Sequence, residues 1–62
     1  MWLYDIILKE SGECVGNQGD GIFDTKEFAF EDALDFIVCE LSNKYKKTIE
    51  DFKIECYKAF IV

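Results

Sequence analysis

Arginine, histidine and proline are absent from this 62-residue chain, and methionine and tryptophan occur once each. These absences narrow the chemistry before any motif is sought. Without histidine, no side chain has an ordinary pKa near neutrality, so acid–base catalysis lacks its usual carrier. Without arginine, the planar bidentate grip on phosphate is missing. Seven lysines stand against thirteen carboxylates, for a formal net charge of −6, which is the opposite of a nucleic-acid binder's basic footprint. No proline-rich, glycine/serine-rich or low-complexity tract reads as a linker, and residues 1–62 are expected to form one domain.

Long apolar runs are missing too, so no membrane-spanning helix is expected. Met1-Trp2-Leu3 has no basic start and the apolar residues after it are interrupted by Asp5 and Lys9, which argues against a secretory signal. Cys14, Cys39 and Cys56 are odd in number and widely spaced, and cannot form a self-contained disulfide framework. A reduced, cytoplasmic protein is the expectation. With no C-x-x-C pair and no histidine, neither a zinc site nor an activated cysteine nucleophile is expected, and no cofactor is implied.

What is present is a dense apolar complement. Half of the residues are hydrophobic and 16% are aromatic, too many for a disordered chain. A domain this small buries only about 60% of the surface its unfolded chain exposes, so it needs a tight aromatic core, an oligomer interface, or both.

The stretch GNQGDGIFDTKEF, residues 16–28, resembles the second half of an EF-hand loop. Asp20 falls at the fifth loop position, Gly21 at the sixth and Glu27 at the twelfth. The resemblance implies a calcium site, yet Gly16 and Gln18 occupy the first and third positions. A hard cation needs roughly six to eight oxygens, and too few strong ligands remain. The preceding WLYDIILKE is rich in aromatic and β-branched residues, whereas an EF-hand needs an entering helix. A glycine-rich turn leading into a new element is the expected role, with a degenerate calcium loop as a lesser alternative.

Residues 2–9 alternate Trp2, Tyr4, Ile6 and Leu8 with Leu3, Asp5, Ile7 and Lys9, the period-two signature of a strand with one fully apolar face. Residues 11–21 hold all four glycines and read as a flexible connection. Residues 22–28 read as a second strand; a helix beginning at Asp24, with a capping box to Glu27, is the rival, disfavoured because it would place Phe28 on the polar side of the helix that follows. That helix is expected over residues 30–47, with Phe30, Ala33, Leu34, Ile37, Leu41 and Tyr45 on its apolar face. Glu31, Asp32 and Asp35 crowd its start and Lys44, Lys46 and Lys47 its end, an order that complements the helix dipole. Phe52, Ile54 and Cys56 then alternate with Lys53, Glu55 and Tyr57 in a final strand expected to run to Val62. The expected fold is α+β, in the order β-β-α-β, with one amphipathic helix on a three-stranded sheet and the last strand on the free edge of the first.

Charge is unevenly spread. Residues 10–40 carry nine carboxylates and one lysine, a net of −8, whereas residues 44–62 have a net of +2. Asp32 and Asp35 share a helix face and could act as an acid–base pair or hold magnesium, but their place near a helix start is already explained by the dipole. Without a deep cleft, which so short a chain can hardly form, an enzyme is not expected. Two non-enzymatic functions remain. In the first, Asp20, Asp24, Glu27, Glu31, Asp32 and Asp35 meet a basic, nucleic-acid-binding surface on a protein partner and stand in for phosphates. Small acidic phage proteins that block bacterial defence or nucleic-acid enzymes are similar in this general character. In the second, the chain is a self-associating structural or assembly module. Leu3, Ile7, Tyr57, Ala59 and Ile61 point away from the helix, so a homodimer, face to face or edge to edge, is expected to cover them.

Overall fold

The computed structural model describes residues 1–17 and 23–58. Three strands form one antiparallel sheet: β1 over Trp2–Leu8, β2 over Glu13–Asn17 and β3 over Phe52–Lys58, in the spatial order β2-β1-β3. The chain is therefore α+β, with strands before and after a helical segment that packs on one face of the sheet. β3 takes the free edge of β1, as expected, in an unbroken register from Trp2 opposite Lys58 to Leu8 opposite Phe52.

β1 is central, pairing with β2 on one edge and β3 on the other. Tyr4, Ile6 and Leu8 are buried against the helix, and full burial of one such aliphatic side chain contributes about 1.5–3 kcal/mol. Leu3, Asp5 and Ile7 face the other way and are half-buried. On β3, Phe52 is buried and Ile54 and Cys56 pack partly against the core, while Lys53, Glu55 and Tyr57 are exposed on the opposite face.

The second strand is not where the sequence pattern suggests. It lies in the glycine-bearing stretch, at Glu13–Asn17, and the segment expected to be a strand instead begins a helix. Two features make ECVGN a strand. Gly12 adopts φ 72°, turning the chain back along β1 with its N–H on the Leu8 carbonyl at 2.8 Å. Gly16 sits opposite Ile6 where no side chain fits: a Cβ there would lie 3.0 Å from Phe36 Cε1 and 3.3 Å from Leu41 Cδ1. Between them the register shifts, because Ile6 pairs with Gly16 and Ile7 with Cys14, leaving Val15 as a bulge that bends an otherwise weak strand onto the core. Among the described residues of the expected 22–28 strand, a single bridge survives, Phe23 exchanging backbone hydrogen bonds with Trp2 at 2.7 and 3.2 Å.

The helical segment starts four residues earlier than the apolar pattern indicates. Helix α1 spans Lys26–Phe36, a π-helical turn covers Ile37–Leu41, and helix α2 covers Ser42–Tyr45. Thr25 is the N-cap, its Oγ1 accepting the Phe28 N–H at 3.2 Å, rather than Asp24. The residues that face the sheet are Ala29, Ala33, Ile37 and Leu41, all buried, followed by the half-buried Tyr45. Their strict spacing of four would drift steadily round an α-helix of 3.6 residues per turn, by about 40° per step. The π turn, with its i→i+5 hydrogen bonding, is wider and winds the stripe back towards the sheet. Phe30, expected in the core, is instead 43% exposed, and Leu34 is half-buried on the flank.

Lys46 closes the helix in the left-handed conformation, φ 55°, and the Ser42 hydroxyl donates to the Lys47 carbonyl at 2.6 Å. A 3₁₀ turn over Ile49–Asp51 then leads into β3, held by the Asp51 carboxylate, which accepts from the Thr48 N–H at 2.9 Å. Ala59 and Ile61, with the expected extension of the last strand to Val62, lie outside the described residues. No helix among the described residues is long and apolar enough to cross a membrane.

Candidate functional site

The early helix start decides what the outer face of α1 presents. Asp24 lies just ahead of the cap, and Phe28, Glu31, Asp32 and Asp35 follow at helical spacings of four, three, one and three. Side chains three and four apart on a helix are neighbours, so these residues gather on one stripe. Together with Phe23, they line a shallow depression of about 380 Å³. Phe28 is 58% exposed within it, which is the placement that the apolar pattern disfavoured. The Thr25 cap and the burial of Ala29 and Ala33 set the rotation of the helix, and Phe28 goes where that rotation puts it.

The inner wall of the depression is tied to the core. Tyr4, 1% exposed on β1, donates its hydroxyl to Asp32 Oδ2 at 2.7 Å, and its ring lies 5.9 Å from that of Phe23. Burial raises the Tyr4 pKa well above its ordinary value of 10.0, and the hydrogen bond to the Asp32 carboxylate and its negative charge raise it further. The phenol therefore stays a donor throughout the physiological range and holds one oxygen of Asp32 in place.

Of the six carboxylates expected to contact a partner, the structure brings Asp24, Glu31, Asp32 and Asp35 to this one depression. Glu27 lies beside a neighbouring one, with Lys26, Phe30 and the shared Glu31. Asp20 lies outside the described residues. The four carboxylates surround the depression without converging: among the described residues, no three acidic or cysteine side chains are grouped so that they could hold a metal ion. Gly16, the first position of the EF-hand-like stretch, is part of β2, and Glu27, the twelfth, is in the first turn of α1, so a strand stands where a calcium loop would have its entering helix.

Sequence reasoning does not single out Phe23 or Phe28. A signal is available, since the 24-28-31/32-35 spacing forms a helical stripe once residues 25–28 are read as the helix start. The expected dimer residues divide. Leu3 and Ile7 are half-buried, and Tyr57, opposite Leu3, is 43% exposed on the face away from the helix. Asp5, Glu55 and Lys53 interrupt that face, with Asp5 directly opposite Glu55 and Lys53 opposite Ile7.

All three cysteines are free thiols. Cys14 is on β2 rather than in a loop, with its Sγ 3.5 Å from the Gly16 carbonyl oxygen, and Cys39 is exposed on the helix. Burial pushes the Cys56 thiol up and Lys26 pulls it part of the way back, which leaves it a poor thiolate. No protein-family model, curated protein or solved structure matches this chain.

Proposed function

We propose that this chain is a non-enzymatic acidic binding module that acts in the cytoplasm. It seats on a basic, nucleic-acid-binding surface of a protein partner, its carboxylates taking the places of phosphates, and blocks that surface as a phage- or mobile-element-type antagonist would. One observation carries the proposal: Asp24, Glu31, Asp32 and Asp35 surround the exposed Phe28 at a single depression on the outer face of α1. Carboxylates alone would be an ordinary solvated helix face. An aromatic ring left among them adds an apolar anchor, and ring faces attract lysine and arginine side chains of the kind that nucleic-acid-binding surfaces display. The depression is open and shallow, which suits a protruding basic side chain better than a small-molecule substrate.

The test is capture at low salt on the immobilised chain. A basic partner should be retained, elute as salt rises, and be displaced by duplex DNA. It should be lost from a folded Asp32→Lys/Asp35→Lys variant and weakened by Phe28→Ala. Retention at high salt, or equal binding by the folded double variant, would rule the proposal out.

The alternative of a self-associating module is favoured by a different observation, the outer edge of β3, which is unpaired among the described residues.

A further inference from the structure

β3 lies at the end of the sheet, and among the described residues nothing pairs with its outer side. Its backbone polarity follows from one hydrogen bond. The Lys9 N–H donates to the Asp51 carbonyl at 3.0 Å, so Asp51 points towards β1. Strand alternation then turns Lys53, Glu55 and Tyr57 towards β1 and leaves the backbone groups of Ile54, Cys56 and Lys58 facing outwards. Phe52 adds an outward carbonyl, its N–H being donated to Ile49 in the 3₁₀ turn. The strand contains no proline and no bulge, and of the usual devices that keep a free edge from pairing it carries charged side chains alone, Lys53, Glu55 and Lys58.

The side chains on this edge are complementary to themselves. Consider a second copy of β3 laid antiparallel across a two-fold axis through Ile54. Lys53 then stands opposite Glu55 of the second copy, Glu55 opposite its Lys53, and Phe52 opposite its Cys56. Ile54 meets Ile54. In this register the two Ile54 residues exchange both of their backbone hydrogen bonds, and each Cys56 N–H reaches the Phe52 carbonyl of the other copy. Every outward group from Phe52 to Cys56 is used except the Cys56 carbonyl, which faces the Phe52 N–H already committed to Ile49. The half-buried Ile54 and Cys56 gain apolar neighbours on the helix side of the sheet. Sliding the axis to Glu55 would set the two Glu55 carboxylates against each other, and sliding it to Lys53 would oppose the two lysines and set Asp51 against Glu55.

We propose that this chain forms a homodimer through the outer edge of β3, centred on Ile54, joining two three-stranded sheets into one of six strands. Charge on the sheet face supports an edge contact over a face-to-face one. Asp5 and Glu55 lie opposite each other between Leu3–Tyr57 and Ile7, and stacking two such faces would bury like charges. In the edge dimer, Lys53 of the second copy arrives beside that acidic pair, adding to the Lys53–Glu55 contact of 3.3 Å within each chain. The dimer is independent of the acidic depression on α1.

Lys53→Glu and Glu55→Lys test the pairing. Alone, each substitution turns both symmetry-related Lys–Glu pairs into like-charge pairs and should raise the dimer dissociation constant by about tenfold or more. Mixed in equal amounts, the two variants set the introduced carboxylate of one chain opposite the introduced ammonium of the other, and the retained Glu55 opposite the retained Lys53, and should reassociate. Light scattering on a size-exclusion column should give twice the 7.2 kDa chain mass for the parent, a fall towards one chain for each variant, and recovery for the mixture. Circular dichroism confirms that each variant is folded. A parent that is monomeric at high micromolar concentration, a dimer that neither substitution weakens, or folded variants whose mixture stays monomeric would each overturn the proposal.

Discussion

The Tyr4 hydroxyl donates to Asp32 Oδ2 at 2.7 Å, joining the fully buried centre of β1 to the outer, acidic face of α1 across 28 residues of sequence. It is a charge-assisted bond from the core to a carboxylate at the candidate site, and it gives Asp32 a fixed position that its neighbours on the helix surface do not need for stability.

Tyr4→Phe keeps the packing and removes this bond. A stability loss of about 1–2 kcal/mol is expected, because the Asp32 carboxylate left behind can turn to solvent. The raised Tyr4 pKa gives the effect a pH signature. The folded state holds the phenol protonated, so its contribution is complete below 10.0 and is lost as pH rises through the higher folded value. Urea denaturation across the alkaline range should show a falling limb in the parent that is shallower in Tyr4→Phe.

The Asp51 carboxylate works in the opposite direction. Its pKa is lowered chiefly by the backbone N–H of Thr48, with help from the Thr48 hydroxyl and from Lys47 and Lys9. A depressed folded pKa contributes stability above the ordinary value of 3.8, and that stability is lost as pH falls through the folded value. Asp51→Asn should flatten the acid limb of the same stability profile, and an unchanged limb would mean that other carboxylates dominate it.

Gly16→Ala introduces a Cβ 3.0 Å from Phe36 Cε1 and 3.3 Å from Leu41 Cδ1. The expected cost is about 1–3 kcal/mol from overpacking beneath the helix. Phe36→Leu in the same chain should recover part of it by clearing the closer contact. Thermal denaturation of the single and double variants checks both steps, and additive losses would count against steric conflict as the cause.

Lys46→Gly should stabilise the domain. Lys46 holds φ 55° at the helix C-cap, a conformation that costs a residue with a Cβ about 1–2 kcal/mol, part of which glycine returns through its freer unfolded chain. A net gain of about 0.5–1 kcal/mol is expected in urea melts. Lys46→Ala, which keeps the Cβ, should give no comparable gain.

β1, the body of the helix and β3 were legible in the sequence for one physical reason. Each carries its apolar residues at or near the period of its own backbone, two for Tyr4, Ile6 and Leu8 or Phe52, Ile54 and Cys56, and four, close to the α-helical period of about 3.6, for Ala33, Ile37 and Leu41. A period states which face is buried whatever it is buried against, and with one helix and three strands few arrangements remain. The acidic character of residues 24–35 was equally plain, since solvated carboxylates need no partner to be recognised.

Only the tertiary structure decided β2, the start of α1 and the place of Phe28. ECVGN has one β-branched residue and a glycine, and is a strand because β1 offers it hydrogen bonds and because Phe36 and Leu41 fill the space above Gly16. Residues 22–28 fit a strand or a helix by local preference, and the choice fell to the Thr25 cap and to Ala29, whose methyl is small enough to sit against the sheet. A single aromatic residue carries no period of its own, and Phe28 falls among the carboxylates only if residues 25–28 begin the helix, a choice that the local sequence leaves open. The place of Phe28 followed from the rotation of a helix whose other side was already held by the core.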